Sequence, residues 1–482
     1  MFPNLPPNAF IHPCGENRDA IASLIQQVSA QIVDHLSQAS RHSPIPAADR
    51  LPAVEIPAVP VAVSELLTQI QGLMAQSMNP AHPGYMGHMD PIPSTFSILG
   101  DWVASALNNN MLSVEMSPAL SRLEPLLLRE IAQMFGLGER AGGVLVSGGS
   151  LANLQALIVA RNAKLQVLQR GLVPFGKPPV VLASELAHTS VKKAAMLAGL
   201  GTDGVIAVPV NGLGHMDPEA VRSQIHQARA AGQYPFMIVA TVGTTITGNI
   251  DPLEALAPIA QDNDLWFHVD AAYGGALIFS EQHRHRLQGI EQADSVTFNP
   301  QKWLYVTKAC ASVLFRDMAI LEDHFRLAAP YMNTAADWTN LGEITIQGTR
   351  HGDILKLWLT LQHLGHAGCA ALVDTSYHLT QIFAAEIQRR PSLTMATPPE
   401  MNILCFRSCP PHLAPAAWDL WNQQLQDYLL HHHQLFLSLP VFRGQRWLKA
   451  VLLNPFTTDA DIQRLFAAID DFTERGSAAA KA

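Results

Sequence analysis

Residues 265–275 have the sequence Leu-Trp-Phe-His-Val-Asp-Ala-Ala-Tyr-Gly-Gly, and the prediction of the fold starts from this stretch. Its first five residues are almost continuously apolar, and the run ends at Asp270 before two glycines. An apolar run bounded by turn residues is typical of a strand buried on both faces of a sheet. A carboxylate at the end of such a strand is costly to bury unless a cation pairs with it. Asp270 is therefore a candidate functional residue, with capping of the next turn as the alternative.

Similar apolar runs flank this segment, and helical patterns separate most of them. The runs are 144–147, 180–183, 205–209, 237–241, 295–298 and 311–315. Apolar strands that alternate with helices predict an α/β fold with a mostly parallel central sheet and helices on both faces. Such sheets bind their ligands outside the carboxyl ends of the strands.

Two further signals follow predicted strands. Ser147-Gly-Gly-Ser150 precedes a helix, where free N–H groups and the positive end of the dipole suit a phosphate, although a plain helix cap would have the same sequence. Lys302 follows the strand 295–298. Burial there would lower the pKa of its amine and make it a nucleophile toward carbonyls, whereas the alternative is a lysine that extends to solvent.

The turn at 147–150, Asp270 and Lys302 together indicate one cofactor, pyridoxal phosphate (PLP). This cofactor needs a phosphate-binding turn, an anion beside its ring nitrogen and a lysine for the Schiff base. The turn at 147–150 does not match the motifs of competing functions. It is neither Gly-x-Gly-x-x-Gly nor Gly-x-Ser-x-Gly, and no Gly-x-x-x-x-Gly-Lys-Ser/Thr occurs in the sequence, which weakens nucleotide-binding and hydrolase interpretations.

Composition narrows the class of protein. The chain has 482 residues, 48% hydrophobic and 15% charged, with a formal charge of −9, which argues against global disorder and against nucleic acid or anionic membrane as the main partner. Five scattered cysteines, no apolar run of about 18 residues and no signal-like start predict a cytoplasmic protein. No metal site is predicted, and the histidines 431–433 are interpreted as a surface cluster.

Three regions are predicted along the chain: an N-terminal helical arm (1–80), a large cofactor-binding α/β domain (81–366) and a small C-terminal α+β domain (367–482). The small domain is expected to contain strands at 402–406, 435–439 and 448–453. The amphipathic helix at 18–40 has no local partner for its apolar face, so we expect the arm to pack on another subunit.

The sequence resembles the group II PLP-dependent amino-acid decarboxylases, which have the type I aminotransferase-like fold. The resemblance extends from His82 to the C-terminus. The matching motifs are His82-Pro83, Ser117-Pro-Ala119, Ser147-Gly-Gly-Ser150, His188 before Ser190, Gly243-Thr-Thr245, His268-Val-Asp-Ala-Ala272, Asn299-Pro-Gln-Lys302-Trp303 and Arg350 ahead of Leu355-Lys-Leu-Trp358.

The resemblance implies a carbon–carbon lyase that removes CO2 from an L-amino acid, and a homodimer with active sites at the subunit interface. It also implies roles for individual residues. Lys302 would form the Schiff base, Asp270 would pair with the ring nitrogen, His188 and Ala272 would lie against the two ring faces, Gly149, Ser150 and Asn299 would hold the phosphate, and Thr245 would lie near the ring.

The branch of the family is indicated by segments that look most like the glutamate and cysteine-sulfinate decarboxylases. His88 and Lys449 match the positions that hold an acidic substrate side chain there, although Lys449 could equally be an exposed strand lysine. A small acidic substrate such as aspartate, glutamate or cysteine sulfinate is therefore preferred. Aromatic amino acids and 2,4-diaminobutyrate remain open.

Three departures from the family pattern accompany the resemblance. Gln301 replaces the usual His, and Ser150-Leu-Ala-Asn153 replaces Ser-Glu-Ala-Asn. The loop 337–345 lacks the usual Tyr, with Trp338 or Thr339 in its place and Tyr331 nearest. Without that proton donor, an oxidative, aldehyde-forming outcome stays open, as does a non-catalytic paralogue that only binds the cofactor.

Overall fold

A seven-stranded sheet forms the centre of the computed structural model, which describes residues 5–47, 51–52, 54–330 and 338–479. Its strands are β1 (Gly142–Val146), β2 (Pro179–Ser184), β3 (Val205–Val208), β4 (Tyr234–Thr241), β5 (Trp266–Asp270), β6 (Ser295–Phe298) and β7 (Ala311–Phe315). The spatial order is β1-β7-β6-β5-β4-β2-β3. All neighbouring pairs are parallel except those that β7 makes with β1 and β6, so the predicted mostly parallel sheet is confirmed.

Helices cover both faces of the sheet, with α5 across β4 to β7 on one face and α7 and α8 against β2 to β5 on the other. The helices are α1 (Arg18–Ser37), α2 (Val63–Ala75), α3 (Thr95–Leu107), α4 (Leu120–Met134), α5 (Gly149–Leu165), α6 (Ser190–Leu197), α7 (Pro218–Ala230), α8 (Leu253–Asp262), α9 (Ala319–His324), α10 (Ile354–Gln388), α11 (Trp418–His433) and α12 (Asp459–Ala479). Every residue of β1, β5, β6 and β7 is buried, which explains why Asp270 is the only Asp, Glu, Lys or Arg in these four strands. Within the described ranges, no helix is long and apolar enough to cross a bilayer.

A smaller α+β unit follows α10 and has its own apolar core. Its strands are β8 (Leu393–Met395), β9 (Ile403–Ser408), β10 (Val441–Phe442), β11 (Gln445–Arg446) and β12 (Leu448–Val451). β12, β9 and β8 form an antiparallel sheet packed against α10, α11 and α12. α10 bends at Gly365, where φ is 61°, next to the boundary predicted between residues 366 and 367.

The strand predicted at 435–439 is wrong. This segment makes only two isolated bridges, one from Phe436 to Tyr85 and one from Ser438 to Lys449. Because successive residues bond to different neighbours, no continuous ladder forms, although the segment is apolar and extended in sequence pattern.

Residues 84–87 join the small unit to the rest of the chain. Met86 N–H donates to the Phe436 carbonyl at 3.0 Å, and Val451 N–H donates to the Met86 carbonyl at 2.6 Å. A Cβ on Gly84 would stand 2.3 Å from the Gln434 carbonyl oxygen, so only glycine permits this approach. Met86 belongs to the core of the small unit.

Candidate active site

Loops at the carboxyl ends of β1, β2, β4, β5 and β6 converge on one cavity of about 430 Å³. All of the residues predicted to bind the cofactor line it, namely Gly149, Ser150, His188, Thr245, Asp270, Ala272, Asn299 and Lys302. The sheet topology explains this convergence, because parallel strands present their carboxyl ends along the same edge.

Asp270 ends β5 and is only 5% exposed. Its Oδ2 accepts a hydrogen bond from Asn153 Nδ2 at 2.8 Å, and its Oδ1 accepts one from the Ala272 N–H at 3.1 Å. Both oxygens thus meet donors, which suits an ionised carboxylate at the cavity wall.

Lys302 lies in the turn after β6, where its N–H donates to the Asn299 carbonyl at 3.1 Å. Burial lowers the pKa of the Lys302 amine, while the charges of Asp270 and Asp90 act in the opposite direction. A larger neutral fraction makes this amine a better nucleophile toward a carbonyl carbon. Lys302 and Asp270 share one cavity, as the cofactor hypothesis requires.

His188 lies between β2 and α6 and remains exposed on the cavity wall. Its Nδ1 is 2.9 Å from Ser190 Oγ and accepts from the Ser190 N–H at 3.2 Å. Desolvation lowers the pKa of His188, the Asp270 charge raises it, and the charge of Lys302 lowers it further. The ring is therefore neutral near pH 7.

The other end of the cavity is formed by the first turn of α5. An added Cβ on Gly149 would stand 2.7 Å from Asn299 Nδ2, so glycine leaves room for this amide beside the helix terminus. Leu151 and Ala152 donate to the Gly148 carbonyl, whereas the N–H groups of Gly149 and Ser150 have no acceptor among the described residues. Free N–H groups at a helix N-terminus suit an anion.

Gln301, which replaces the usual His, also lines the cavity. Its side-chain Oε1 accepts a hydrogen bond from the Cys310 backbone N–H at 2.5 Å, and its backbone N–H donates to the Cys310 carbonyl at 3.2 Å. These contacts fix the side-chain oxygen toward β7 and leave the Nε2 group as the donor.

Lys449 and His88 lie outside the cavity lining but beside it. Lys449 is only 5% exposed, and its Nζ donates to the carbonyl of Thr245, a lining residue, at 3.2 Å. The alternative of an exposed strand lysine is therefore wrong. Desolvation lowers the pKa of Lys449 to about 8. His88 keeps an exposed side, and the centroid of its ring lies 5.3 Å from that of Phe436. Partial desolvation of the ring and the charge of Lys449 lower the pKa of His88.

The residues predicted to replace the family's loop Tyr do not line the cavity. The centroid of the Trp338 ring lies 5.7 Å from the guanidinium carbon of Arg122. Thr339 Oγ1 donates to Glu322 Oε1 at 3.1 Å. Both line a separate groove beside β1. Tyr331 and Asp337 lie outside the described residues.

Asn153 and Ser190 also line the cavity, although the sequence motifs that contain them assigned neither residue a role. Asn153 Nδ2 donates to Asp270 and also to Ser190 Oγ, each at 2.8 Å. Its position one turn after Ser150, on the buried side of α5, was the available signal.

Comparison with known families decides the identity of the fold and its chemistry. The family model described as "Pyridoxal-dependent decarboxylase conserved domain" matches residues 47–409. The chain belongs to this family. Two curated relatives are the "Acidic amino acid decarboxylase GADL1" of Homo sapiens and that of Mus musculus. The human protein is 30% identical over a region that covers 84% of this chain and 80% of the human chain. The mouse protein is 31% identical over a region that covers 84% of this chain and 76% of the mouse chain.

Solved structures agree with the family assignment. The mouse CSAD crystal structure in the apo form is 28% identical, with a TM-score of 0.88 over 95% of this chain and 99% of that chain. The glutamate decarboxylase domain of the Vibrio parahaemolyticus diaminobutyrate-pyruvate transaminase and L-2,4-diaminobutyrate decarboxylase is 26% identical, with a TM-score of 0.84 over 97% and 98%. The protein has the type I PLP fold and is a PLP-dependent amino-acid decarboxylase, a lyase.

The residues in the cavity fit PLP. Asn299 Oδ1 and Thr241 Oγ1 are buried without a partner among the described residues, and both residues line the cavity. Unpaired buried polar atoms are costly, and a polar ligand removes that cost. An anion-binding site at the N-terminus of α5, a carboxylate and a lysine of lowered pKa supply the three complements that PLP requires.

Proposed function

We propose that the protein decarboxylates a small acidic L-amino acid, such as aspartate, glutamate or cysteine sulfinate, to the amine and CO2. The proposal rests on one observation above all. The buried ammonium of Lys449 hydrogen-bonds to the cavity residue Thr245, next to a site that otherwise contains the full set of predicted PLP ligands.

The cofactor is held at both ends in this proposal. The N–H groups at the start of α5 and the amide of Asn299 would hold its phosphate, while Asp270 would pair with the ring nitrogen and keep it protonated. When bound, PLP supplies a cationic ring that accepts the electron pair left when CO2 departs. Lys302 would anchor the cofactor through its amine, and His188 would lie against the ring.

His188 lines the same cavity as Lys302, so its side chain can also contact a bound substrate. Its Nδ1 is engaged by Ser190, so Nε2 is the ring atom left to contact substrate. Held against the cofactor, the His188 ring would restrict the orientation of the substrate carboxylate that leaves as CO2. Ala272, with its small side chain, would lie on the other side of the cofactor.

Charge supports the acidic substrate class. After desolvation, the charge of Lys302 lowers the pKa of Lys449, and the charge of Lys449 lowers the pKa of His88, so positive charge is concentrated beside the cavity. A substrate carboxylate placed here gains a charge-assisted hydrogen bond, whereas the second ammonium of 2,4-diaminobutyrate is repelled. An aromatic side chain would leave the buried Lys449 without an anion.

We further propose a homodimer in which the N-terminal arm packs on the second subunit. Apolar side chains stay exposed on three helices: Ile25 and Val33 on α1, Leu66 and Leu73 on α2, and Leu99 and Val103 on α3. Sedimentation velocity of the full chain and of a Val33→Lys variant tests this, with Gln27→Lys, exposed on another face of the same helix, as control. A monomeric wild type, or a Val33→Lys dimer as tight as that of Gln27→Lys, contradicts the proposal.

The substrate is tested by CO2 release from aspartate, glutamate and cysteine sulfinate, compared with tryptophan, tyrosine and 2,4-diaminobutyrate. Amine, oxygen uptake, peroxide and ammonia are measured in the same samples. CO2 and amine from an acidic substrate in equal amounts support the proposal. Exclusive turnover of aromatic or diamino substrates overturns the substrate class, and oxygen uptake with ammonia release overturns the amine product in favour of an aldehyde. The absence of any turnover, with no visible cofactor band, favours a non-catalytic paralogue.

A further inference from the structure

A chain of buried polar groups extends from the base of the cavity into the sheet. Asn153, on α5, is 4% exposed and sits between the side chains of Asp270, Ser190, Thr297 and His268. A second layer continues from His268 through Ser295 to Trp266. Ser295 Oγ lies 2.8 Å from His268 Nδ1 and 2.8 Å from Trp266 Nε1.

The carboxylate of Asp270 fixes the orientation of the Asn153 amide. An ionised carboxylate only accepts hydrogen bonds, so the Asn153 group 2.8 Å from Asp270 Oδ2 is the NH2 group. The amide oxygen then faces Thr297 Oγ1 at 2.7 Å and His268 Nε2 at 3.1 Å, and it accepts from both.

The protonation of His268 follows from this orientation. Its Nε2 must carry the proton that Asn153 Oδ1 accepts. Burial lowers the pKa of His268 to about 4, so the ring is neutral and its Nδ1 is an acceptor. The hydroxyl of Ser295 therefore donates to Nδ1 and accepts from the Trp266 N–H, because the indole can only donate.

The second hydrogen of the Asn153 amide determines the state of His188. It is donated to Ser190 Oγ at 2.8 Å, which leaves the Ser190 hydroxyl hydrogen free for His188 Nδ1 at 2.9 Å. The Ser190 N–H points at the same nitrogen. His188 Nδ1 is thus an acceptor, and the ring proton resides on Nε2.

We propose that Asn153 is a positioning residue that fixes two groups at once: it orients Asp270 as the anion beside the cofactor ring and, through Ser190, it holds the proton of His188 on Nε2. The assignment rests on the proposed roles of Asp270 and His188. Asn153 itself acts through them, from behind the carboxylate.

The test uses Asn153→Asp in the full-length enzyme, because this change keeps the shape and removes the NH2 donor. Two carboxylates side by side share one proton, so the hydrogen bond to Asp270 survives only while that proton is bound. The other titratable groups facing the pair are His188, His268 and Lys302. PLP affinity, measured by absorbance and equilibrium dialysis, is expected to weaken as pH rises from 6 to 9, by roughly tenfold to a hundredfold at the upper end.

The matched control is Asn162→Asp, at a second buried asparagine of α5. Asn162 donates to the His324 carbonyl at 2.8 Å and does not line the cavity. This variant is expected to lose stability but to retain wild-type PLP affinity and spectrum at every pH. If Asn153→Asp binds PLP with the wild-type pH dependence, or if Asn162→Asp shows the same pH dependence as Asn153→Asp, the proposal is overturned.

A second variant covers the case in which Asn153→Asp fails to fold. Ser190→Ala keeps the bond between Asn153 and Asp270 but removes the link to His188. We expect unchanged PLP affinity together with a lower kcat and a shifted pH profile of kcat. Wild-type values of both would overturn the His188 part.

The companion variant Asp270→Asn separates this inference from the proposed function. If Asp270→Asn leaves the PLP spectrum and affinity unaltered, the role of Asp270 itself fails. If Asp270→Asn alters them and Asn153→Asp does not, only the role of Asn153 fails.

Discussion

The Lys449 ammonium donates a hydrogen bond to the Thr245 carbonyl at 3.2 Å and so connects β12 of the small unit to the wall of the active-site cavity. A backbone carbonyl satisfies one of three ammonium hydrogens. The remaining donors are available for a substrate carboxylate, and this relationship carries the substrate assignment.

Replacing this ammonium is the first prediction. Lys449→Met keeps most of the side-chain length but removes the charge. We expect kcat/KM for the acidic substrate to fall by about 10- to 100-fold, mainly through KM, because one charge-assisted hydrogen bond is lost. Lys177→Met, at an exposed position, serves as control. An equal loss in both variants, or a loss confined to kcat, would contradict the assignment.

The pKa of about 8 for Lys449 gives a second prediction. Below pH 8 the amine is a cation and attracts a substrate carboxylate, and above pH 8 it becomes neutral. We therefore expect kcat/KM for the acidic substrate to decline as pH rises through about 8 in the free enzyme. Profiles from pH 6 to 10 are compared with those of Lys449→Arg, whose guanidinium stays charged. A decline at the same pH in Lys449→Arg would assign it to another group.

Lys302 is the subject of the third prediction. Lys302→Ala removes the amine that anchors PLP, so CO2 release is expected to vanish even when PLP is retained non-covalently. Borohydride treatment followed by peptide mapping should attach the pyridoxyl group to Lys302 in the wild type and to no peptide in the variant. Full turnover in Lys302→Ala would falsify the catalytic role.

The first turn of α5 yields a fourth prediction. In Gly149→Ala the new Cβ would stand 2.7 Å from Asn299 Nδ2 and displace that amide. We expect the dissociation constant of PLP to rise by about tenfold or more, because one hydrogen bond to the phosphate is lost. Gly212→Ala is the control, because its Cβ meets nothing within 4 Å in an exposed turn. Tight PLP binding by Gly149→Ala would exclude this contact.

The fifth prediction concerns stability. Arg350 Nη1 contacts Glu124 at 3.1 Å and the Leu145 carbonyl at 2.8 Å, and both charged side chains are buried. Arg350→Leu leaves a buried carboxylate without its cation, and we expect a loss of about 3–5 kcal/mol in the free energy of unfolding. Urea denaturation measures it. Glu130→Gln, exposed on the same helix as Glu124, is expected to change stability by less than about 0.5 kcal/mol.

The sequence predicted the large sheet well, because strands buried on both faces carry apolar runs that no other element explains so simply. It also predicted the cavity residues that follow strand ends, since Asp270 and Lys302 are chemically conspicuous there. It named Asn153 only within a motif and gave it no role, because that role depends on a contact with a residue 117 positions away. The burial of Lys449 likewise depends on Thr245, 204 positions away. The strand predicted at 435–439 was wrong because a short apolar run does not specify a partner strand.

The short stretch 84–87 has a consequence for attempts to divide the protein. Met86 occupies the hydrogen-bonding edge of β12, an outer strand of its three-stranded sheet. A fragment limited to the C-terminal unit would keep the two bonds between Ser438 and Lys449 on that edge, but it would lose the acceptor of the Val451 N–H and one residue of its apolar core. Unpaired edge groups and exposed apolar side chains recruit other chains. Such a fragment is therefore prone to aggregation, and limited proteolysis near the Gly365 bend should yield two pieces that stay associated until denatured.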